Sequence, residues 1–247
     1  MRLRITFSKS GALRYTGHLD LQSIWERTVR RAGLPLSYTQ GFHPGPKIQL
    51  ASALPLGFIG RAEIVDMWIN EPGDPLDRPY KAPFWHRDYH EILQPATPPG
   101  LVISSVEIVD EHSPALQTQV VSAEYEVTLP RAPSPVREPG LPRGNRDYPA
   151  GTGTTSLDPG DTPGLVKGIS ALLGAASLSR ERRGKTYDLR SLIESLELLP
   201  ADGSESLRLH MRLAAREGAT GRPEEVLDAL GFQFETTRIE RTRLILK

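Results

Sequence analysis

Apolar and polar residues alternate over positions 2–8, with Leu3, Ile5 and Phe7 on one face, the period of two that marks a half-buried strand. Over 18–32 the period lengthens. Leu21, Ile24, Trp25, Thr28, Val29 and Ala32 recur at steps of three and four, with Gln22, Glu26, Arg27, Arg30 and Arg31 between them, which predicts an amphipathic helix. Gly33 stands where a helix C-cap belongs, Pro35 blocks continuation, and the late arginines suit the negative end of the helix dipole. This helix is expected to pack Leu21, Ile24, Trp25 and Val29 onto a sheet whose first and second strands are parallel neighbours.

Positions 47–54 and 62–69 read as further strands joined by a Pro/Gly turn at 55–60, and 101–109 as another. Between the last two, residues 71–100 contain seven prolines, so only 83–93 is left for a short helix. With that helix the order becomes βαββαβ, the ferredoxin-like plan. The second half offers a strand at 123–129, a helix at 162–173, a strand at 207–213, a helix at 222–230 with Pro223 in its first turn, and a strand at 237–246. Residues 130–163 carry eight prolines and five glycines and are expected to form a flexible insertion. The predicted fold class is therefore α+β, with two tandem ferredoxin-like units at 1–118 and 119–247 and the insertion in the second.

Composition narrows the function classes. The chain contains no cysteine, which removes disulfides, thiolate metal sites and cysteine nucleophiles together. No stretch approaches the length of uncharged apolar sequence that a membrane helix needs, and the first residues lack the pattern of a signal peptide. A soluble, cytoplasmic protein without a membrane partner is the expectation. The 30 basic and 30 acidic side chains cancel, which argues against binding nucleic acid through overall charge. Residues 1–50, however, hold eight basic side chains against two acidic ones. Screening limits the reach of distant acids to about 10 Å, so a local surplus of this kind attracts anions, unless it belongs only to a solvated helix face.

The segment Tyr38-Thr-Gln-Gly-Phe-His-Pro-Gly-Pro-Lys47 concentrates special groups in ten residues. Gly41 and Gly45 permit positive φ, two prolines stiffen the path, and Tyr38 and Phe42 offer faces on which bases stack. The alternative is a rigid connection with Phe42 packed inward. The candidate nucleic-acid-binding set is Arg14, His18, Arg27, Arg30, Arg31, Tyr38, Gln40, Phe42, His43 and Lys47.

This loop, together with Leu13-Arg-Tyr-Thr-Gly-His-Leu-Asp20, Arg30-Arg-Ala-Gly-Leu-Pro-Leu36 and Ala51-Ser-Ala-Leu-Pro-Leu-Gly57, resembles the opening of the radical-SAM-linked family, a domain of unknown function. Further matches fall at Tyr187-Asp-Leu-Arg190, Arg222-Pro-Glu-Glu-Val-Leu-Asp-Ala-Leu230 and Ile239-Glu-Arg-Thr-Arg-Leu244. Members of that family are commonly fused to, or encoded beside, cobalamin-binding radical SAM proteins, often near a ribonuclease of the E/G type. The resemblance implies a cytoplasmic partner role in RNA metabolism. The chain departs from the family at 74–99, where a plain amphipathic helix is expected, and in the insertion after Leu129. It also resembles, more faintly, the ferredoxin-like CRISPR repeat-processing ribonucleases.

The function expected is a non-enzymatic accessory protein that recognises RNA, such as tRNA or rRNA, and presents it to a cobalamin-dependent radical SAM enzyme. One alternative is a metal-independent endoribonuclease, for which His18, His43, Tyr38, Lys47 and Arg14 supply the residue types. Another is a protein–protein adaptor without RNA affinity, docking through the aromatic stretch at 80–90. His86 and His90 have the spacing of a metal pair on a helix, but only two ligands are present and a docking element or packed loop explains the stretch better. Arg180, Arg182, Arg183 and Lys185 read first as a solvated hairpin tip and second as a phosphate contact. No catalytic residue, metal or cofactor is assigned.

Overall fold

The computed structural model describes residues 1–70, 88–129, 162–182, 184–200, 206–234 and 237–247. It is a mixed α+β protein with a mainly sheet core, and no helix among the described residues is long and apolar enough to cross a membrane. The chain divides into two compact units, Met1–Ala123 with Glu240–Lys247, and Glu124–Ile239. The sequence pattern places the division after residue 118 and assigns the last residues to the second unit.

The first unit runs β1 (Arg2–Lys9), a 3-10 turn (Gly11–Tyr15), α1 (His18–Arg31), β2 (Ile48–Leu50), β3 (Ile59–Trp68), α2 (Tyr89–Leu93), β4 (Leu101–Val109) and α3 (Leu116–Gln119). β1 pairs antiparallel with both β3 and β4, and β2 pairs antiparallel with β3. The order is therefore β4-β1-β3-β2. Strands one and two run parallel but are not neighbours, because β3 lies between them. This corrects the expectation of parallel adjacency. An α-helix is about 10 Å across and strands sit about 4.8 Å apart, so a crossover through α1 spans two strand positions and leaves a slot for β3.

The core follows the two periodicities. Leu3, Ile5 and Phe7 of β1 and Val65 and Met67 of β3 meet Leu21, Trp25 and Val29 of α1. Trp25 is fully buried and stands edge-on to Phe7, ring centroids 4.9 Å apart. At the helix C-terminus Leu34 N–H donates to Val29 O at 3.1 Å and Gly33 N–H to Arg30 O at 3.1 Å. Gly33 takes φ 71°, the left-handed closure that its position in the sequence predicts.

α2 is short and continues as a 3-10 turn over Gln94–Ala96. The rest of the helix expected at 83–93, with Tyr80, Phe84, Trp85 and His86, lies outside the described residues, as do positions 130–161 of the expected insertion. His90 has a task that the metal-pair reading did not foresee. Its Nε2 lies 3.0 Å from Ile103 O, while Gln94 Oε1 accepts Ile103 N–H at 2.7 Å. Together they satisfy the outward backbone groups of β4 at Ile103.

The second unit takes up β5 (Val120–Leu129) from Glu124 onward and continues through α4 (Thr162–Gly174), β6 (Ser179–Arg182), β7 (Lys185–Asp188), β8 (Ile193–Leu198), β9 (Leu207–Arg216), β10 (Ala219–Thr220) and α5 (Pro223–Ala229). β8 pairs antiparallel with β9 and β6 with β7. Leu165, Ile169 and Leu172 of α4 and Val226 and Leu227 of α5 are buried. β8 escapes a reading by pattern because Glu194 and Glu197 interrupt its apolar alternation. β11 (Arg238–Leu246) returns to the first unit from Glu240, where it pairs parallel with β3 through Glu240↔Ile59 and Arg241↔Gly60.

Candidate nucleic-acid interface

Three of the eight cations counted in residues 1–50 point inward. Arg2 and Arg4 both close on Asp66, with Arg2 Nε to Oδ2 and Arg4 Nε to Oδ1 each at 2.9 Å. Arg2 also donates to Ser113 O and Pro114 O and stacks over Trp68 at 4.7 Å. Lys9 is 1% exposed. The surface surplus is thus carried by Arg14, Arg27, Arg30, Arg31 and Lys47, set against Asp20 and Glu26. Asp66 shares its sheet face with Arg2 and Arg4 by strand alternation, a register that a single strand cannot reveal.

One cation of α1, Arg30, is tied to the aromatic loop. Arg27, Arg30 and Arg31 are carried on the last turns of α1. Arg30 donates to Glu26 at 2.7 Å and to the Tyr38 hydroxyl at 3.2 Å, which ties the helix end to the start of the loop. The loop is braced as a narrow hairpin: Thr39 N–H donates to Gly45 O at 2.8 Å, Gly45 N–H to Thr39 Oγ1 at 2.9 Å, and Lys47 N–H to Ser37 O at 2.8 Å. Gln40, Gly41, Phe42 and His43 form its exposed tip, where Gly41 adopts φ 132°. Phe42 is fully exposed, so the inward-packed alternative is corrected. Lys47 is exposed at the loop base. A cationic helix end beside a stiff loop that presents an aromatic tip provides both phosphate-binding charge and a stacking face.

Arg14 and His18 do not join this group. They stand at the start of α1, about 20 Å from Arg30 along a 14-residue helix. Here the structure reveals a second arrangement, built on a buried ionic cluster. Arg241 of β11, 2% exposed, donates through Nε to Glu63 Oε1 at 2.8 Å and through a second nitrogen to Oε2. Its remaining donors reach Ser52 O at 3.1 Å and Ala53 O at 3.0 Å. Lys9 Nζ donates to Thr16 O at 2.8 Å. Burial holds the Lys9 ammonium below its ordinary value, against the attraction of Glu63 and with the repulsion of Arg241. His18 is pushed below the usual imidazole value of 6.5 by partial desolvation, then by Arg241 and Lys9. Lys9 and Glu63 fall on the core-facing parity of their strands, beside Phe7 and Val65. A charge on that parity is the sequence signal that marks the cluster.

In the second unit the cationic hairpin tip is only partly solvated. Arg182 forms a two-pronged pair with Glu225, both oxygens at 2.7 Å, and stacks on Tyr187 at 4.8 Å. Burial foremost, with Glu225 beside it, pushes the Tyr187 phenol up to about 12. Asp188 accepts from Leu178 N–H and Arg190 N–H, and Arg190 ties Leu173 O to Ile193 O. The Tyr187-Asp-Leu-Arg190 segment therefore works in building the unit.

The arrangement defines a class: a two-unit α+β protein whose first unit carries a cationic, aromatic-tipped surface. Residues 2–223 match the model of a family described as an uncharacterized protein conserved in bacteria (DUF2344), and the chain belongs to that family. No curated protein matches it.

Proposed function

We propose that this chain is an accessory protein that holds single-stranded RNA on the surface formed by the end of α1 and the 38–47 loop, and presents it to a cobalamin-dependent radical SAM enzyme. The observation that carries the RNA reading is the fully exposed Phe42 at the tip of a braced loop, with Arg30 bonded to Tyr38 at its base. An exposed aromatic on a flexible loop would give up conformational freedom on binding, whereas this loop is fixed beforehand. The enzyme partner rests on the resemblance to the radical-SAM-linked family, and the absence of cysteine means that the cluster chemistry would belong to that partner. The cytoplasmic setting follows from the same resemblance. Tandem ferredoxin-like units are part of the proposal, supported by the order β4-β1-β3-β2 and the two helical crossovers of the first unit.

Fluorescence titration of a labelled oligouridylate tests the reading. Phe42→Ala is expected to cost about 1–3 kcal/mol with the salt dependence unchanged, because stacking moves no counterions. Arg30→Gln and Lys47→Gln are each expected to flatten the log–log salt slope by about 0.7 for every phosphate that is no longer neutralised. Wild-type protein with no salt-dependent RNA affinity, alone or with the enzyme, would remove the RNA reading and leave the adaptor.

A further inference from the structure

The buried cluster at the start of α1 is an expensive construction. Two cations, Lys9 and Arg241, share one carboxylate, Glu63, and all three are at least 95% removed from solvent. Buried charges of this kind contribute little net stability. What the cluster does is local. Lys9 bonds Thr16 O, in the junction between the 3-10 turn and α1, and Arg241 bonds Ser52 O and Ala53 O, just before the turn at Leu56. The two anchored segments are joined directly, since Gly57 N–H donates to Arg14 O at 2.8 Å.

These segments carry three of the large apolar side chains that the described surface leaves open: Tyr15 at 62% exposure, Leu19 at 75% and Leu56 at 60%. The Arg14 guanidinium lies over the Tyr15 ring at 4.6 Å and also contacts its hydroxyl. Tyr15 is therefore held as a platform with a cation on one face, and His18 follows one turn on. The buried Lys9 is anchored to the same junction through Thr16 O.

We infer that Tyr15, Arg14 and His18 form a second nucleotide subsite, in which a base stacks on Tyr15 and its phosphate meets Arg14, so that one RNA strand runs along α1 from Phe42 to Tyr15. This rests on the RNA reading above and extends it. A planar ring beside a fixed cation matches the base and phosphate of one nucleotide. The same segment held by acidic protein contacts is the competing occupant.

The test is a titration of labelled oligouridylates, a trinucleotide and a dodecanucleotide, against the full chain. Tyr15→Ala is expected to weaken the dodecanucleotide by about 5- to 150-fold without changing the salt slope, and Tyr15→Phe to retain near wild-type affinity. The trinucleotide is too short to reach from one end of α1 to the other, so Tyr15→Ala and Phe42→Ala together should weaken it more than either alone. Crosslinking of 4-thiouridine RNA, mapped by mass spectrometry, is expected at both Tyr15 and Phe42. If Phe42→Ala weakens binding while Tyr15→Ala does not and no crosslink forms at Tyr15, the subsite is overturned, the platform is a protein contact, and the RNA reading stands. Failure of the wild-type chain to bind any of these oligonucleotides, alone and with the enzyme, overturns both.

Discussion

Arg241 and Glu63 are separated by 178 residues of chain, yet their side chains form a two-pronged pair in which neither is more than 3% exposed. The contact is possible because Gly60, opposite Arg241 in the parallel pairing of β11 with β3, has no side chain. A Cβ at Gly60 would come within 2.5 Å of Glu63 Cγ. The pair, with the exposed Arg61 bonded to Glu240, fixes β11 against β3 in the first unit.

Removing Glu63 leaves both Arg241 and Lys9 buried without the carboxylate they share. Glu63→Leu is expected to lower stability by about 3–5 kcal/mol in urea denaturation, and Glu63→Leu with Arg241→Met and Lys9→Met to recover most of that loss. A triple variant no more stable than Glu63→Leu alone would show that the apolar replacements do not fill the site.

The outward edge of β4 is guarded by side chains. His90 and Gln94 occupy the carbonyl and N–H of Ile103, and an uncovered strand edge recruits other strands. His90→Val with Gln94→Val is expected to raise self-association at high protein concentration, measured by light scattering after gel filtration. An unchanged monomer–oligomer distribution would mean that the edge is protected by something other than these two groups.

Glu224 enters the first turn of α5 with Oε2 buried and without a hydrogen-bond partner among the described residues. Desolvation raises its pKa above the ordinary 4.5, outweighing the nearby arginines. The folded state thus prefers the protonated form, so the stability linked to this group is present below about pH 4.5 and is lost as pH rises through the raised value. Glu224→Gln is expected to raise stability at pH 7 by about 1 kcal/mol and to have little effect at pH 4. Thermal melts at the two values measure the difference.

His18 has the opposite sign. Its imidazole is held below 6.5 by desolvation, Arg241 and Lys9, so folding favours the neutral ring. The associated stability is present above about pH 6.5 and is lost as pH falls through the folded value. Proton NMR titration of the imidazole is expected to give a midpoint below 6.5, and His18→Asn to remove that part of the acid-side loss. A midpoint at or above 6.5 would contradict the placement of His18 beside the two buried cations.

Local pattern determined a good deal of this protein. The alternation of Leu3, Ile5 and Phe7 placed β1, the three-and-four spacing through Trp25 placed α1, and Gly33 with Pro35 ended it, since each depends on neighbours along the chain. The Tyr38-to-Lys47 loop was legible for the same reason, as its glycines, prolines and aromatics lie in one run. Tertiary structure alone decided which charges face solvent. Arg2, Arg4 and Lys9 look like surface cations in sequence, but Asp66 and Glu63 reach them through strand pairings some sixty residues away along the chain, and Arg241 arrives from the last strand. It likewise decided that β3 separates β1 from β2, and that Arg14 and His18 stand a helix length from Arg30. Periodicity reports the faces of an element, whereas the partner on each face is fixed by sheet register, which is set by long-range packing and leaves no local trace.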